Sequence, residues 1–406
     1  MKSEAKQFFA PQAWVAGAWA KDVLLGVAAD GRWSQIQPNA SAQQQAAATR
    51  LGGPVLPGVV NAHSHAFQRA IVGLTERRST GAALADDFWS WRDRMYAAAN
   101  CITPEQMETI ASQLYAELLA GGYTQVCEFH YLHNAIAGSP YAKAAEMSLA
   151  LVRAAQRTGM GLTLLPTLYM RAGFSESGLR HDQRRFASTP DSIARIVEDV
   201  QRHAAGDARI NVGVAIHSLR AVHPAALKEL AAYAHSAGLP VHIHIAEQTQ
   251  EVDDCLVHTG QRPIEWLLNH ADVDKRWNLV HATYTTPDEL WGVQARGASI
   301  VICPATEANL GDGVFDLPGY AKEHGTWSIG SDSHVTRRWS EELRLLEYGQ
   351  RLTQRKRNRA AELMGQTSSA AALFEAALGG GHAASGQALG GLTVGQRADF
   401  CVLDAQ

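Results

Sequence analysis

The sequence predicts an α/β protein, a (β/α)8 TIM barrel with a small β-sandwich domain built from the N- and C-terminal segments. Three observations predict it. Eight short apolar or β-branched runs alternate with longer amphipathic stretches. Four of those runs end in histidine or aspartate, and a barrel's working rim lies at its strand ends. Strand-like sequence with turn signals also sits at both ends of the 406-residue chain, outside the alternation.

The terminal elements come first. Trp14–Ile36 alternates and holds an Asp-Gly turn, so it reads as hairpin strands. Asn39–Gly53, "NASAQQQAAATRLGG", reads as a linker into the barrel. The tail "GGLTVGQRADFCVLDAQ" has the same strand-like look as the start. The expected partition is 1–56 with 380–406 for the small domain and 57–379 for the barrel.

Candidate barrel strands are Val59–Ala62, Thr124–Tyr131, Gly161–Leu168, Ile210–Leu219, Pro240–Ala246, Asn278–Thr283, Ser299–Pro304 and Thr326–Gly330. Between them, Pro104–Gly121 carries Met107, Ile110, Leu114, Leu118 and Leu119 at helical spacing. Thr103-Pro104-Glu105 opens that helix with an N-cap, a proline at the first position and an early acid, and Gly121–Gly122 stops it. Pro190–Ala204, His223–Ala237 and Pro287–Arg296 have the same form. A doubly wound open sheet would call for Gly-x-Gly-x-x-Gly after an early strand, and none is present.

Composition narrows the function classes. Hydrophobic residues make 46% and charged residues 19%, which suits a folded globular chain. A formal net charge of -4 with no basic stripe argues against nucleic acid or an anionic membrane as partner. The N-terminus "MKSEAKQFFAPQ" does not read as a secretory signal, and no apolar run nears the roughly 18 residues a span needs. The five cysteines form no Cys-x-x-Cys pair, which suits a reducing cytoplasm and excludes a cysteine zinc knuckle. Histidine, at 17, is the unusual count.

Residues i and i+2 of a strand share a face, so His63 and His65 point the same way, roughly 7 Å apart at the backbone. "PVHIHIAEQ" repeats the device with His242 and His244 and adds Glu247; "NLVHAT" ends at His281 and "SIGSDSH" at Asp332. Imidazole with carboxylate suits a borderline divalent ion. His63, His65, His244 and Asp332 are the expected ligands of one Zn2+, with Fe2+ the alternative. One ion is favoured over two because the fourth strand ends in His217 and Arg220 rather than a lysine that could be carbamylated into a bridge.

These elements resemble the amidohydrolase superfamily in its mononuclear deaminase branch, over nearly the whole chain. "NAHSHAFQRA", "DDFWSWRDRMY", "EFHYLH", "HSLRAV", "CPATEANLGDGVF" and "GSDSHV" are more similar to its formiminoglutamate deiminase group, which acts in histidine degradation. The resemblance implies a cytoplasmic metal-dependent hydrolase, commonly a homodimer, acting on a small dicarboxylate that carries an HN=CH–NH– group. Asp332 is then the acceptor of a proton from the metal-activated water, and Glu247 the donor to the imino nitrogen. His281 holds or polarises the attacking oxygen. Arg220 and Arg92 bind the carboxylates, since guanidinium forks match them. Gln68, Tyr131 and His217 are further substrate contacts, Gln68 nearest the formimino group.

Other residues carry blander expectations. Cys303 reads as a small buried hydrophobe. His242 reads as either a partner of the metal ligands or an inward polar residue, and His130 and His133 have no assigned role. Trp89 and Trp91 read as pocket wall or core. Members of the family carry further strand-forming sequence beyond "ADFCVLD", so the expectation is a reduced small domain or a further piece of it beyond Gln406. Competing functions are deamination of N-formimino-L-aspartate, guanine or another aminated heterocycle, and metal-stabilised ligand binding without turnover.

Overall fold

A computed structural model describes residues 5–76 and 87–404. Asp86, at the head of the aromatic segment, and the last two residues of the tail lie outside the described residues.

The chain starts in strands, earlier than the alternation alone indicates. β1 (Lys6–Val15) and β2 (Ala18–Val27) form an antiparallel hairpin, and β3 (Trp33–Gln37) adds to β2. Pro11 masks β1 in the sequence; the ladder passes over it, pairing Ala10 with Val23 and Gln12 with Lys21. The expected linker holds a short helix, Ala42–Ala47, because Ser41 and Gln44 make a capping box at its start. β4 (Thr49–Arg50) and β5 (Val55–Pro57) then run parallel to β1.

The barrel follows. β6 (Val59–Ser64), β7 (Tyr123–His130) and β8 (Gly161–Leu168) are buried along nearly their whole length, as parallel strands covered on both faces must be. The fourth position is shared by β9 (Ile210–Val212) and β10 (Val214–Ile216). The chain changes partners there: Gly213 N–H bonds Leu164 on β8, whereas Val214 N–H bonds Pro240 on the next strand's approach. β11 (Val241–Ile245), β12 (Trp277–His281), β13 (Ser299–Ile302) and β14 (Thr326–Ile329) complete the parallel order. A Ser64–Asp332 bridge joins the last strand's exit to the first strand. The result is the expected (β/α)8 barrel, with eight parallel positions.

Three barrel helices open on Thr-Pro, with Thr103, Thr189 and Thr286 capping the backbone N–H of Gln106, Ser192 and Glu289. The helix Ser369–Ser385 packs against β14, β6 and β13. A Cβ on its Gly380 would fall 1.8 Å from the Trp327 carbonyl oxygen, so only glycine admits this approach. His242 points inward at this end and its Nε2 donates to the Ala384 carbonyl at 2.8 Å. It is therefore an inward polar residue that ties strand to helix.

β15 (Phe400–Val402) returns antiparallel to β5, so strands from both termini share one six-stranded sheet. The sandwich-like core the sequence expects is held here by that single hydrogen-bonded sheet. Its own buried cluster contains Ala10, Ala13, Val23, Leu25, Trp33, Val55 and Leu392. Among the described residues no helix is long and apolar enough to cross a membrane.

Candidate active site

The strand ends deliver their side chains to one place. His63 lies in β6 and His65 just past it, and their rings sit 4.6 Å apart, edge to face. His244 comes from β11, with Nε2 3.0 Å from His63 Nε2. Asp332, three residues past β14, has Oδ1 3.4 Å from the Nε2 of both His63 and His65. His281 ends β12, its Nε2 3.9 Å from Asp332 Oδ2 and 3.7 Å from Glu247 Oε1. Ala246, His281, Ala282, Asp332 and His334 all have positive φ, between 45° and 69°. Such conformations are strained for residues with a side chain, and here they cluster at the rim where the side chains must turn inward.

Electrostatics suits a cation. Burial lowers His63 to about 3 and also lowers His65 and His244, so all three imidazoles are neutral and offer lone pairs. His65 Nδ1 donates to the Phe129 carbonyl at 2.8 Å, which leaves Nε2 as the free lone pair. Burial alone would raise Asp332, but its hydrogen bond with His63 and the charge of His281 hold it below the usual carboxylate range. His63, His65 and His244 offer ligand atoms within 4.8 Å of one another, as do His63, His281 and Asp332, so neutral imidazoles with a carboxylate beside them suit a divalent ion. Glu247 stands beside this set. Burial raises it to about 7, against the pull of His281.

The pocket over these groups is lined by His65, Gln68, Tyr131, His217, Arg220, His244, Glu247, His281, Asp332 and Arg92. His63 is fully buried beneath it. Every expected site residue is thus brought together. The aromatic segment is a helix, Phe88–Ala99, capped by Asp87 through the N–H groups of Trp89 and Ser90. It lays Arg92 over the Trp89 ring at 4.5 Å, and Arg220, from a short turn after β10, reaches the same ring at 5.8 Å. Among the described residues the acid paired with Arg92 is Asp93, at 4.0 Å, and that carboxylate is largely exposed. Arg92 Nε and Arg220 Nη1 are buried without an acceptor. Gln68 Nε2 donates to Tyr131 at 3.3 Å, and its Oε1 is likewise buried without a partner. His217 is kept neutral by burial and by Arg220.

The amidohydrolase family model matches residues 55–406, which is the barrel and the tail. The chain belongs to the amidohydrolase family. This amidohydrolase is 47% identical over 402 residues to a formimidoylglutamate deiminase of Pseudomonas aeruginosa, covering 98% of this chain and 85% of that one. An amidohydrolase structure from Brucella melitensis superposes with a TM-score of 0.92 at 42% identity, over 99% of this chain and 87% of the other. An 8-oxoguanine deaminase of Pseudomonas aeruginosa is 27% identical, covering 73% of this chain and 64% of its own.

The amidohydrolase site also uses residues that the sequence did not single out. Glu307 Oε1 lies 3.3 Å from His281 Nδ1 and accepts the Cys303 N–H. Glu251 accepts the N–H groups of Ala246 and Glu247, fixing the turn that presents Glu247. Glu128 accepts from Ser64 Oγ and Ala66 N–H, both at 2.6 Å, bracing the His63–His65 segment from β7. Each is an acid several residues or many tens of residues from its partner, so no short motif announces it. The capping position of Glu251, one helical turn past the strand end, was the nearest to a readable signal.

Proposed function

We propose that this amidohydrolase hydrolyses N-formimino-L-glutamate to N-formyl-L-glutamate and ammonia. The observation that carries this reading is the pair Arg92 and Arg220. Two guanidiniums lie against one aromatic ring, that of Trp89, each with a buried N–H that finds no acceptor among the described residues. Burial lowers the Arg92 pKa, and the charge of Arg220 lowers it further, whereas Glu251 and Glu247 help to raise Arg220; Arg92 is the cation of the pair that an incoming carboxylate would relieve. A substrate with two carboxylates supplies it. The similarity to a formimidoylglutamate deiminase supports the same choice.

His63, His65, His244 and Asp332 would hold one divalent ion, for which Zn2+ is proposed, with Fe2+ the other ion such donors accept. When bound, the ion supplies a Lewis acid that lowers the pKa of water toward neutrality. The chain's own groups do the rest. Asp332 Oδ2 takes a proton from the water as its oxygen adds to the formimino carbon. His281 orients that oxygen. Glu247, protonated near neutral pH by its burial, gives its proton to the imino nitrogen. Asp332 passes the proton it took to the same nitrogen, the added oxygen gives its remaining proton back to Glu247, and the C–N bond breaks so that ammonia leaves while the carbon keeps the oxygen as a formyl group. Gln68, Tyr131 and His217 position the formimino end, and Arg92 and Arg220 the carboxylates. The proposal extends to a cytoplasmic homodimer.

The test is ammonia release from N-formimino-L-glutamate by metal-loaded protein, with Glu247→Gln as control. Fast release that collapses in the variant supports the reading. Release only from N-formimino-L-aspartate, or only from aminated heterocycles, replaces the substrate; metal binding with no turnover of any of them removes the enzyme.

A further inference from the structure

We propose that Glu307 is a positioning residue for the deimination, fixing the hydrogen on His281 Nδ1 and aiming Nε2 at the reacting centre. The inference rests on the reading of this site as a deiminase. Glu307 Oε1 already accepts the Cys303 N–H at 2.8 Å, so the ring nitrogen facing the same oxygen at 3.3 Å carries the hydrogen between them. The opposite nitrogen then faces Glu247 at 3.7 Å and Asp332 at 3.9 Å, the two carboxylates between which protons must move. A histidine gripped through its far nitrogen by a buried carboxylate has its ring orientation fixed in advance.

Glu307 is itself held for this task. It sits in the helix Pro304–Leu310, where its N–H donates to the Cys303 carbonyl at 2.9 Å and its Oε1 accepts the Cys303 N–H at 2.8 Å. It is buried, and among the described residues no lysine or arginine is ion-paired with it. His281 is its cationic or hydrogen-donating partner. The backbone reinforces the aim. His281 and Ala282 have φ of 69° and 49°, and the His281 ring stacks on His244 at 5.6 Å and 22°. A ring in that setting cannot find its orientation from strand geometry alone; the Glu307 contact selects it.

His281, Cys303 and Glu307 also offer ligand atoms close enough together to grip a second cation, which is the competing use of Glu307. Glu307→Gln separates the two, because it preserves size and removes the charge. Three quantities are read on metal-loaded protein: kcat and KM for N-formimino-L-glutamate, metal per chain, and the 15N NMR signals of labelled histidine, with His281→Asn to assign His281. The expected result is a fall in kcat of roughly 100-fold with KM within about twofold. Metal per chain stays unchanged, and the Nδ1–H signature of His281 is lost or moved. Unchanged kcat, a raised KM with kcat kept, an unmoved His281 signal, or a drop in metal per chain each overturns it. Wild-type protein that turns over no formimino acid defeats the functional reading instead, and the His281 signal still decides whether Glu307 holds the Nδ1 hydrogen.

Discussion

Ser64 and Asp332 face each other in a parallel bridge that closes the barrel between its first and last strands. The backbone bonds on either side are Asp332 N–H to the His63 carbonyl at 3.0 Å and His65 N–H to the Asp332 carbonyl at 3.2 Å. Two histidines and the aspartate that meets them are therefore fixed in mutual register by main chain. The seam of the fold and the proposed metal site are the same few residues.

That seam tolerates no added bulk. A Cβ on Gly330 would lie 2.6 Å from His63 Cβ and 2.8 Å from His63 N, where backbone cannot yield. Gly330→Ala is expected to cost about 1–3 kcal/mol and to lower bound metal. Gly178→Ala, which meets nothing within 4 Å, is the neutral control. Thermal melts and elemental analysis check both; a Gly330→Ala protein with full metal and an unchanged melt contradicts the geometry.

The arginine pair predicts how the enzyme discriminates. Arg220→Met and Arg92→Met should each lower kcat/KM for the dicarboxylate by roughly 10- to 100-fold, the worth of a charge-assisted hydrogen bond of about 1.5–3 kcal/mol. Turnover of an uncharged formamidine should survive. Equal losses on both substrates would mean that the arginines hold the pocket's shape and not the carboxylates.

Removing the ion should abolish ammonia release and lower the melting temperature, because a ligand that binds only the folded chain stabilises it by mass action, about 4 kcal/mol at 1,000 times its Kd. Stepwise return of Zn2+ or Fe2+ should restore both at one ion per chain. A stoichiometry of two would overturn the mononuclear site.

Buried neutral histidines set the acid limit. Burial lowers His133 and His242 to about 4 from 6.5, each keeping one hydrogen bond to a backbone carbonyl. The unfolded chain binds these protons first, so the contribution to stability is whole above pH 6.5 and is lost as pH falls through 4. At about 1.4 kcal/mol per pKa unit, each contributes on the order of 3 kcal/mol across that window. Urea midpoints at pH 7 and pH 4.5 should differ less in His242→Asn than in wild type. Identical pH slopes would show that His242 does not titrate with unfolding.

The chain order carries much of this molecule in plain view. Alternation along a strand forces His63 and His65 to one side, Thr-Pro pairs mark helix starts, and the strand-end residues His244, His281 and Asp332 follow from counting elements. Those rules act over a few residues, where the backbone's own geometry is decisive. The hidden parts are contacts between distant segments. Pro11 disguised β1 because a strand's tolerance of proline depends on which neighbours it pairs with. Glu128, Glu251 and Glu307 are indistinguishable in sequence from surface acids, since burial and the donors that satisfy them exist only once the barrel has closed. The sequence by itself determined the barrel, its rim and the residue types gathered there; the tertiary structure alone decided which buried carboxylates brace them and that two arginines meet at one tryptophan ring. Local pattern dictates direction, but desolvation and partner distance are properties of the packed whole.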